Sequence, residues 1–230
     1  MLVIAHRGAS GDFAENTLDA FFGAVDQGAD GVELDVRRTA DGRLAIHHDD
    51  TLPDGTVIVE APFASLPSTI PDLAAALDAC APLGTVNVEI KNWPDDRDFD
   101  PGEGVASAVV DLLAERGELD DGRILVSSFH LPTIDRVHAL APGLATGWLL
   151  GLVEAPHDLV ARAGEHGHRA VHPHHVFVNE DLVRVAHDVG LAVNTWTCDE
   201  PERIRWLADL GVDAVITNTP AVALAALGRW

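Results

Sequence analysis

Apolar positions along the chain fall into short β-branched runs that alternate with longer, alanine-rich amphipathic stretches. The runs at 2–6, 31–36, 86–91, 124–128, 145–149, 170–172, 191–195 and 214–217 read as strands, being short, apolar and bounded by turn residues. The stretches at 17–27, 71–79, 104–116, 132–139, 156–165, 180–189, 201–210 and 220–227 read as helices. Thr17 stands where an N-cap belongs. Pro132, Pro156, Pro201 and Pro220 lie near first turns, where a missing N–H leaves no bond unmade. Gly28, Gly117, Gly167, Gly190 and Gly211 follow helices, where a left-handed C-cap favours a residue without Cβ. Eight βα units in 230 residues predict an α/β fold, a (β/α)8 TIM barrel, with residues 1–230 as one domain. A doubly wound open sheet is the alternative, but no glycine-rich dinucleotide loop follows the first strand.

The run 44–48 breaks the rhythm, because only a tight turn separates it from the second strand. A parallel crossover needs about a dozen residues or more, so this run must return antiparallel, as a β-hairpin extension after the second strand. Asp41-Gly42 favours a two-residue type I′ turn. That turn sets Thr39 opposite Leu44, Arg37 opposite Ile46 and Asp35 opposite His48, over the barrel mouth. A slip of one residue would present His47 instead.

Composition narrows the function classes. Hydrophobic residues make up 47% of the chain and mean hydropathy is +0.11, which predicts a folded globule. Fifteen basic residues face 37 acidic ones, a formal charge of −22. Such a field repels nucleic acids and anionic membrane surfaces, so neither is an expected partner. It would also repel a phosphate-bearing substrate unless a local cation offset it; Lys91 is the sole lysine. This surface fits high-salt adaptation, and a GC-rich genome would give the same arginine bias. Cys80 and Cys198 form no CxxC and no disulfide framework, and read as ordinary buried thiols. The apolar part of the N-terminus is short for a signal peptide and no run reaches the roughly 18 residues of a membrane span, so a soluble cytoplasmic protein is expected.

Barrel enzymes draw their active-site groups from the C-terminal strand ends and the loops that follow. Here these carry His6-Arg7, Glu33 and Asp35, Glu89 and Lys91, Ser127-Ser128, HPHH from His172, and NTWT from Asn194. Glu33 and Asp35 lie two apart and share one face of their strand, as do Glu89 and Lys91. Buried acids are costly unless paired or metal-bound. Glu33, Asp35 and Glu89 therefore form either a salt-bridge layer with Arg7, Arg37 and Lys91 or an oxygen ligand set for a hard cation such as Mg2+ or Ca2+. His6 and His48 are either hydrogen-bonded structural residues or an acid and base titrating near neutrality. His172, His174 and His175 read as structural or solvated, Ser127 and Ser128 as local hydrogen-bonding groups, and Asp95, Asp96, Asp98 and Asp100 as a solvated charge run.

The fragments IAHRGAS, ENT, GVELDVRRTADGRLAIHHDDTL, VNVEIK, SSF, VNTWT and GVDAVITNTP resemble, in order and spacing, the glycerophosphodiester phosphodiesterase family, from His6 to Pro220. The resemblance implies a catalytic histidine at His6 and a phosphate-binding arginine at Arg7. It implies supporting roles for Glu15 and Asn16 of the ENT motif, and Glu33, Asp35 and Glu89 as ligands of one divalent cation, Mg2+ or Ca2+ with Mn2+ also compatible. The HD motif selects His48-Asp49, giving His48 as the second catalytic histidine with Asp49 in support. Lys91 would contact phosphate, and Trp196 would line the substrate end. Three departures stand out. Ala14 replaces the proline usual before ENT, the TDxP motif reads Thr217-Asn218-Thr219-Pro220, and the segment between His48 and the second helix is short, about twenty residues. The expected activity is metal-dependent hydrolysis of a small-molecule glycerophosphodiester to glycerol 3-phosphate and an alcohol. The alternatives are lysophospholipase D-type hydrolysis of a lysophospholipid and a non-catalytic phospho-ligand-binding barrel. The alcohol and the oligomeric state stay open.

Overall fold

A computed structural model describes residues 1–153 and 157–229. The strands are β1 (Leu2–His6), β2 (Gly31–Arg38), β3 (Leu44–Ile46), β4 (Thr85–Ile90), β5 (Ile124–Ser128), β6 (Ala145–Leu149), β7 (Ala170–His172), β8 (Ala192–Thr195) and β9 (Ala214–Thr217). The helices are α1 (Leu18–Asp26), α2 (Leu73–Ala79), α3 (Gly104–Arg116), α4 (Leu131–Leu140), α5 (His157–Glu165), α6 (Glu180–Asp188), α7 (Pro201–Asp209) and α8 (Pro220–Ala226). Position 156, read from the sequence as the start of the fifth helix, lies outside the described residues.

Eight strands pair in parallel in the order β1-β9-β8-β7-β6-β5-β4-β2, and β1 also pairs with β2, which closes the ring. The result is a TIM barrel, with β3 as an antiparallel strand outside it. Parallel strands covered by helices are buried on both faces. Val32, Leu34 and Val36 of β2 and Val86, Val88 and Ile90 of β4 accordingly pack outward with Phe21, Leu77 and Leu113 in one apolar cluster. Trp148, Val160, Leu182 and Ile204 belong to a second cluster on the other half of the ring. Alternate positions point inward, apolar at Ile4, Ala214 and Ile216 but acidic at Glu33, Asp35 and Glu89, so strand period decides which residues can meet in the mouth. No helix among the described residues is long and apolar enough to cross a membrane.

The hairpin register differs from the sequence expectation by one residue. Val36 pairs with Ile46, Arg37 with Ala45 and Arg38 with Leu44. The Thr39 amide bonds the Arg43 carbonyl at 2.9 Å, which leaves a three-residue loop, Ala40-Asp41-Gly42. Gly42 donates back to the Thr39 carbonyl at 3.0 Å with φ of 78°. This is a type I turn closed by one left-handed glycine. A type I′ turn would also need positive φ at Asp41. Asp41 is instead held by the Thr39 hydroxyl (2.6 Å) and by the Phe63 amide of the following segment (3.0 Å).

Candidate active site

At the end of β1 the chain bends through two left-handed residues, Arg7 (φ 57°) and Gly8 (φ 82°). Gly8 has no room for a side chain, since a Cβ there would lie 2.6 Å from the Ala20 backbone. Arg7 accepts a conformation that costs a non-glycine residue about 1 kcal/mol or more, and its contacts show what holds it. Its amide donates to Glu33 Oε2 at 3.0 Å, and its carbonyl accepts from the Asn16 amide at 3.0 Å. Asn16 is itself left-handed (φ 57°) and sends Nδ2 to Asp35 Oδ2 at 2.7 Å. Glu15 Oε1 takes Arg7 Nη1 at 2.9 Å, aiming the guanidinium. The strained turn is thus fastened by the carboxylates beside it.

Register brings those carboxylates together. Glu33 lies beside His6 across the β1–β2 seam, and Asp35 lies beside Glu89 between β2 and β4. Glu33, Asp35 and Glu89 each offer an oxygen within 4.8 Å of the others, and all three are buried. Arg7 Nε stands 3.2 Å from Asp35 Oδ2 and Lys91 Nζ stands 2.9 Å from Asp35 Oδ1, while Lys91 also pairs with Glu89. Burial alone would raise the Asp35 pKa, but Lys91 and Arg7 outweigh it and hold the carboxyl far below its usual range. Glu33 goes the other way. Burial raises its pKa well above the ordinary value, and the Asp35 and Glu89 charges push further in the same direction. Glu33 Oε1 has no hydrogen-bond partner. A buried carboxylate crowded by two others, with one oxygen unpaired, fits a divalent cation better than a completed salt-bridge layer. The all-oxygen donor set is that of a hard ion. Arg37, the third cation of the salt-bridge reading, is engaged elsewhere.

Histidines flank the acids. The His6 Nδ1 lies 2.7 Å from Asn218 Oδ1. Asp199 settles which way that amide faces: its Oδ2 accepts from Asn218 Nδ2 at 2.7 Å, so Oδ1 is left for His6 and for the Ser10 hydroxyl at 3.0 Å. His6 therefore donates through Nδ1, and its Nε2, 3.9 Å from Glu33 Oε2, carries the free lone pair. Burial, then Arg7, holds the His6 pKa below its usual value, which keeps this neutral form. His48 follows the point where β3 leaves its ladder, so strand alternation no longer governs it. Arg37 Nε grips the His48 carbonyl at 2.8 Å, and Asp49 Oδ1 lies 2.7 Å from His48 Nδ1. Burial and Lys91 lower its pKa as well. His47 turns to its neighbouring Asp49 carbonyl (2.9 Å), away from the acids.

His6, Arg7, Glu33, His48, Glu89 and Lys91 face one cavity of about 140 Å³ at the C-terminal mouth of the barrel, walled by Phe129 and Trp196. The two rings meet edge to face at 5.4 Å, and Trp196 Nε1 is fixed on the His172 carbonyl at 2.7 Å. Asp35 lies beneath this cavity with no exposed surface. A larger cleft of about 430 Å³ between Arg43, Asp72 and Glu115 has no comparable convergence of acids and imidazoles.

The model of the glycerophosphoryl diester phosphodiesterase family matches residues 6–222. The chain belongs to that family. It is 32% identical to a glycerophosphodiester phosphodiesterase from Caldanaerobacter subterraneus subsp. tengcongensis, covering 95% of this chain and 94% of the relative. A phosphodiesterase from Oleispira antarctica, solved with the product sn-glycerol 3-phosphate, superposes with a TM-score of 0.88 at 29% identity, covering 100% of this chain and 97% of that one. A glycerophosphodiester phosphodiesterase structure from Thermotoga maritima gives 0.82 at 28% identity, covering 100% and 98%.

In this family member the residues singled out from sequence divide by position. Glu15, Asn16 and Asp49 touch Arg7, Asp35 and His48 respectively, and none of the three lines the cavity. His172 is buried inside the barrel, its Nε2 on Asn194 Nδ2 at 3.1 Å, and burial lowers its pKa to about 3. His174 caps a short 3-10 turn and meets Trp196 edge to face at 5.0 Å. Ser128 bonds the Ile90 carbonyl at 2.8 Å. The acidic run at 95–100 is not the solvated loop expected: Arg37 binds Asp98 at 2.7 Å and Asp96 at 3.2 Å, and Asp100 receives the amides of Gly102 and Gly104. Three roles escaped the sequence reading: Asp199 behind Asn218, Arg37 behind His48 rather than in a layer with the acids, and Phe129, the last residue of the SSF fragment, on the wall. Asn218 stood in a quoted motif, but nothing local marks Asp199.

Proposed function

We propose that this chain hydrolyses glycerophosphodiesters to glycerol 3-phosphate and an alcohol, with His6 and His48 as the proton-transfer pair. One observation carries the reading: two imidazoles, two cations and the acidic cluster converge on a single cavity at the barrel mouth. A divalent cation held by Glu33, Asp35 and Glu89 would supply positive charge to a non-bridging phosphate oxygen, and Mg2+, Ca2+ and Mn2+ all suit oxygen donors. Arg7 and Lys91 offset the remaining phosphate charge, which the acidic surface would otherwise repel. His6 suits the base, because Asn218 leaves its Nε2 as an acceptor. It takes the proton from the attacking hydroxyl as the new P–O bond forms. His48 suits the acid in its protonated form, which Asp35 and the Asp49 hydrogen bond favour against burial and Lys91, and it gives its proton to the departing alcohol oxygen as the old P–O bond breaks. The attacking hydroxyl is that of water, or of the glycerol itself through a cyclic phosphate that water then opens. Trp196 and Phe129 shield the reacting groups on the apolar side.

Two measurements test this. After exhaustive EDTA treatment, release of glycerol 3-phosphate from glycerophosphocholine is expected to stop, and to return on adding Mg2+, Ca2+ or Mn2+. Turnover that survives chelation removes the cation from the reading. Lysophosphatidylcholine run in parallel should be the poorer substrate, and a preference for it would move the assignment to lysophospholipid hydrolysis. A further expectation concerns Asn218. Asn218→Leu should lower kcat by about 10-fold or more, because His6 loses the partner that fixes its tautomer and aim, while KM changes little. Asn218→Gln, which keeps an amide, should recover part of the loss. Full activity in Asn218→Leu would show that His6 needs no such partner.

A further inference from the structure

At the opposite end of the barrel, Asp135 of α4 meets two histidines from the loop that enters β7. His166 Nδ1 lies 2.8 Å from Asp135 Oδ1, and His168 Nε2 lies 3.2 Å from the same oxygen. One ligand atom of each residue falls within 4.8 Å of the other two. The His168 side chain has no exposed surface, yet its Nε2, although 3.2 Å from Asp135 Oδ1, makes no well-aligned hydrogen bond. Its other nitrogen, Nδ1, is 2.9 Å from the Thr146 hydroxyl. We propose that Asp135, His166 and His168 form a second metal site, which takes a borderline transition-metal ion of the Zn2+ class.

The donor chemistry separates this site from the carboxylates at the mouth. Two imidazoles and one carboxylate suit Zn2+ and its neighbours, whereas three carboxylates suit hard ions. With metal–donor bonds near 2.0–2.1 Å, donors of a tetrahedral ion stand about 3.3–3.4 Å apart; the His168–Asp135 spacing of 3.2 Å matches this, and the His166–Asp135 pair, hydrogen-bonded at 2.8 Å, would open by about half an ångström to admit the ion. A metal on Nε2 of His168 requires the proton on Nδ1, and Thr146 is in place to accept it. Asp135 and His166 keep about a third of their side chains exposed (37% and 33%), which leaves a way in for the ion and room for water. His138, three residues after Asp135 on the same helix, packs edge to face on His168 at 6.1 Å and supplies a further imidazole at the rim. His168 precedes β7, so the site lies at the N-terminal rim of the barrel, where residues govern stability rather than chemistry. Its effect would be to tie α4 to the α5–β7 loop.

The probe is Co2+, whose tetrahedral complexes absorb visible light far more strongly than octahedral ones. The metal-stripped full chain is titrated alongside Glu89→Gln, which disables the mouth carboxylates, and His166→Ala and Asp135→Asn, which disable the rim. The expected result is an intense visible band saturating at one equivalent in the parent and in Glu89→Gln, and its loss in both rim variants. Zn2+ should displace the band and, at about a hundredfold excess over its dissociation constant, raise Tm by about 5–10 °C in the parent but not in His166→Ala. Circular dichroism confirms folding, and Asp135→Asn decides if His166→Ala fails to fold. A band that survives both rim variants, vanishes in Glu89→Gln, or never forms with Co2+ overturns the assignment. Mg2+-supported turnover should be unchanged within twofold in His166→Ala.

Discussion

His6→Ala is expected to lower kcat by about 10²–10⁴-fold, the range for losing one general acid–base group, with the fold retained. His6 sits where β1 ends, its backbone completes the strand, and its ring is tethered at Nδ1 only by Asn218. Removing the ring therefore deletes a proton acceptor without opening a core cavity of any size. The companion change, His48→Ala, is expected to fall in the same range, whereas His47→Ala should be silent, since His47 bonds a loop carbonyl outside the cavity. Steady-state kinetics with circular dichroism on the three variants checks this. Inactivation by His47→Ala, or full activity in His6→Ala, would show that the proton chemistry runs through other groups.

The second large effect is on stability, and its sign differs between adjacent carboxylates. Asp35→Ala is expected to cost about 3–5 kcal/mol, the usual penalty for removing one partner of a buried ion pair. Asp35 is the carboxylate shared by Arg7 Nε, Lys91 Nζ and Asn16 Nδ2, so its loss leaves Arg7 to Glu15 and Lys91 to Glu89 alone and strips the Asn16 amide of its acceptor. At about 2–4 °C per kcal/mol for a chain of this size, Tm should drop by about 6–20 °C. Glu33→Gln, in chelator, should leave Tm unchanged or raise it, because the ordinary acidity of Glu33 is opposed by burial and by its two acidic neighbours. Thermal melts in EDTA decide the matter. A drop in Glu33→Gln as large as that in Asp35→Ala would show that Glu33 is a paired structural anion.

How far the sequence could be read depended on whether the determining interaction was local. The barrel was legible because strand period, helix caps and glycine stops are written within each βα unit, and eight repeats reinforce one another. Glu33, Asp35, Glu89 and Lys91 were legible because a two-residue spacing places side chains on the same strand face whatever the tertiary detail. The hairpin register differs by one residue because Asp41-Gly42 fits two turn types, and the Asp41 carboxylate is held both by Thr39 beside it and by Phe63, more than twenty positions on. His48 nonetheless lines the cavity, since Arg37 rather than ladder register places it. Arg37 in turn depends on Asp98, across a separation that no local pattern records. Asp199 was invisible for the same reason.

The partner of His6 is 212 positions away in the chain. A growing polypeptide on the ribosome therefore carries His6 long before it can aim it, because β9 and the Asn218 that follows it must first be made and seated. Catalytic competence on this account arrives late and all at once. Turnover, measured during refolding, would then report the closing of the ring.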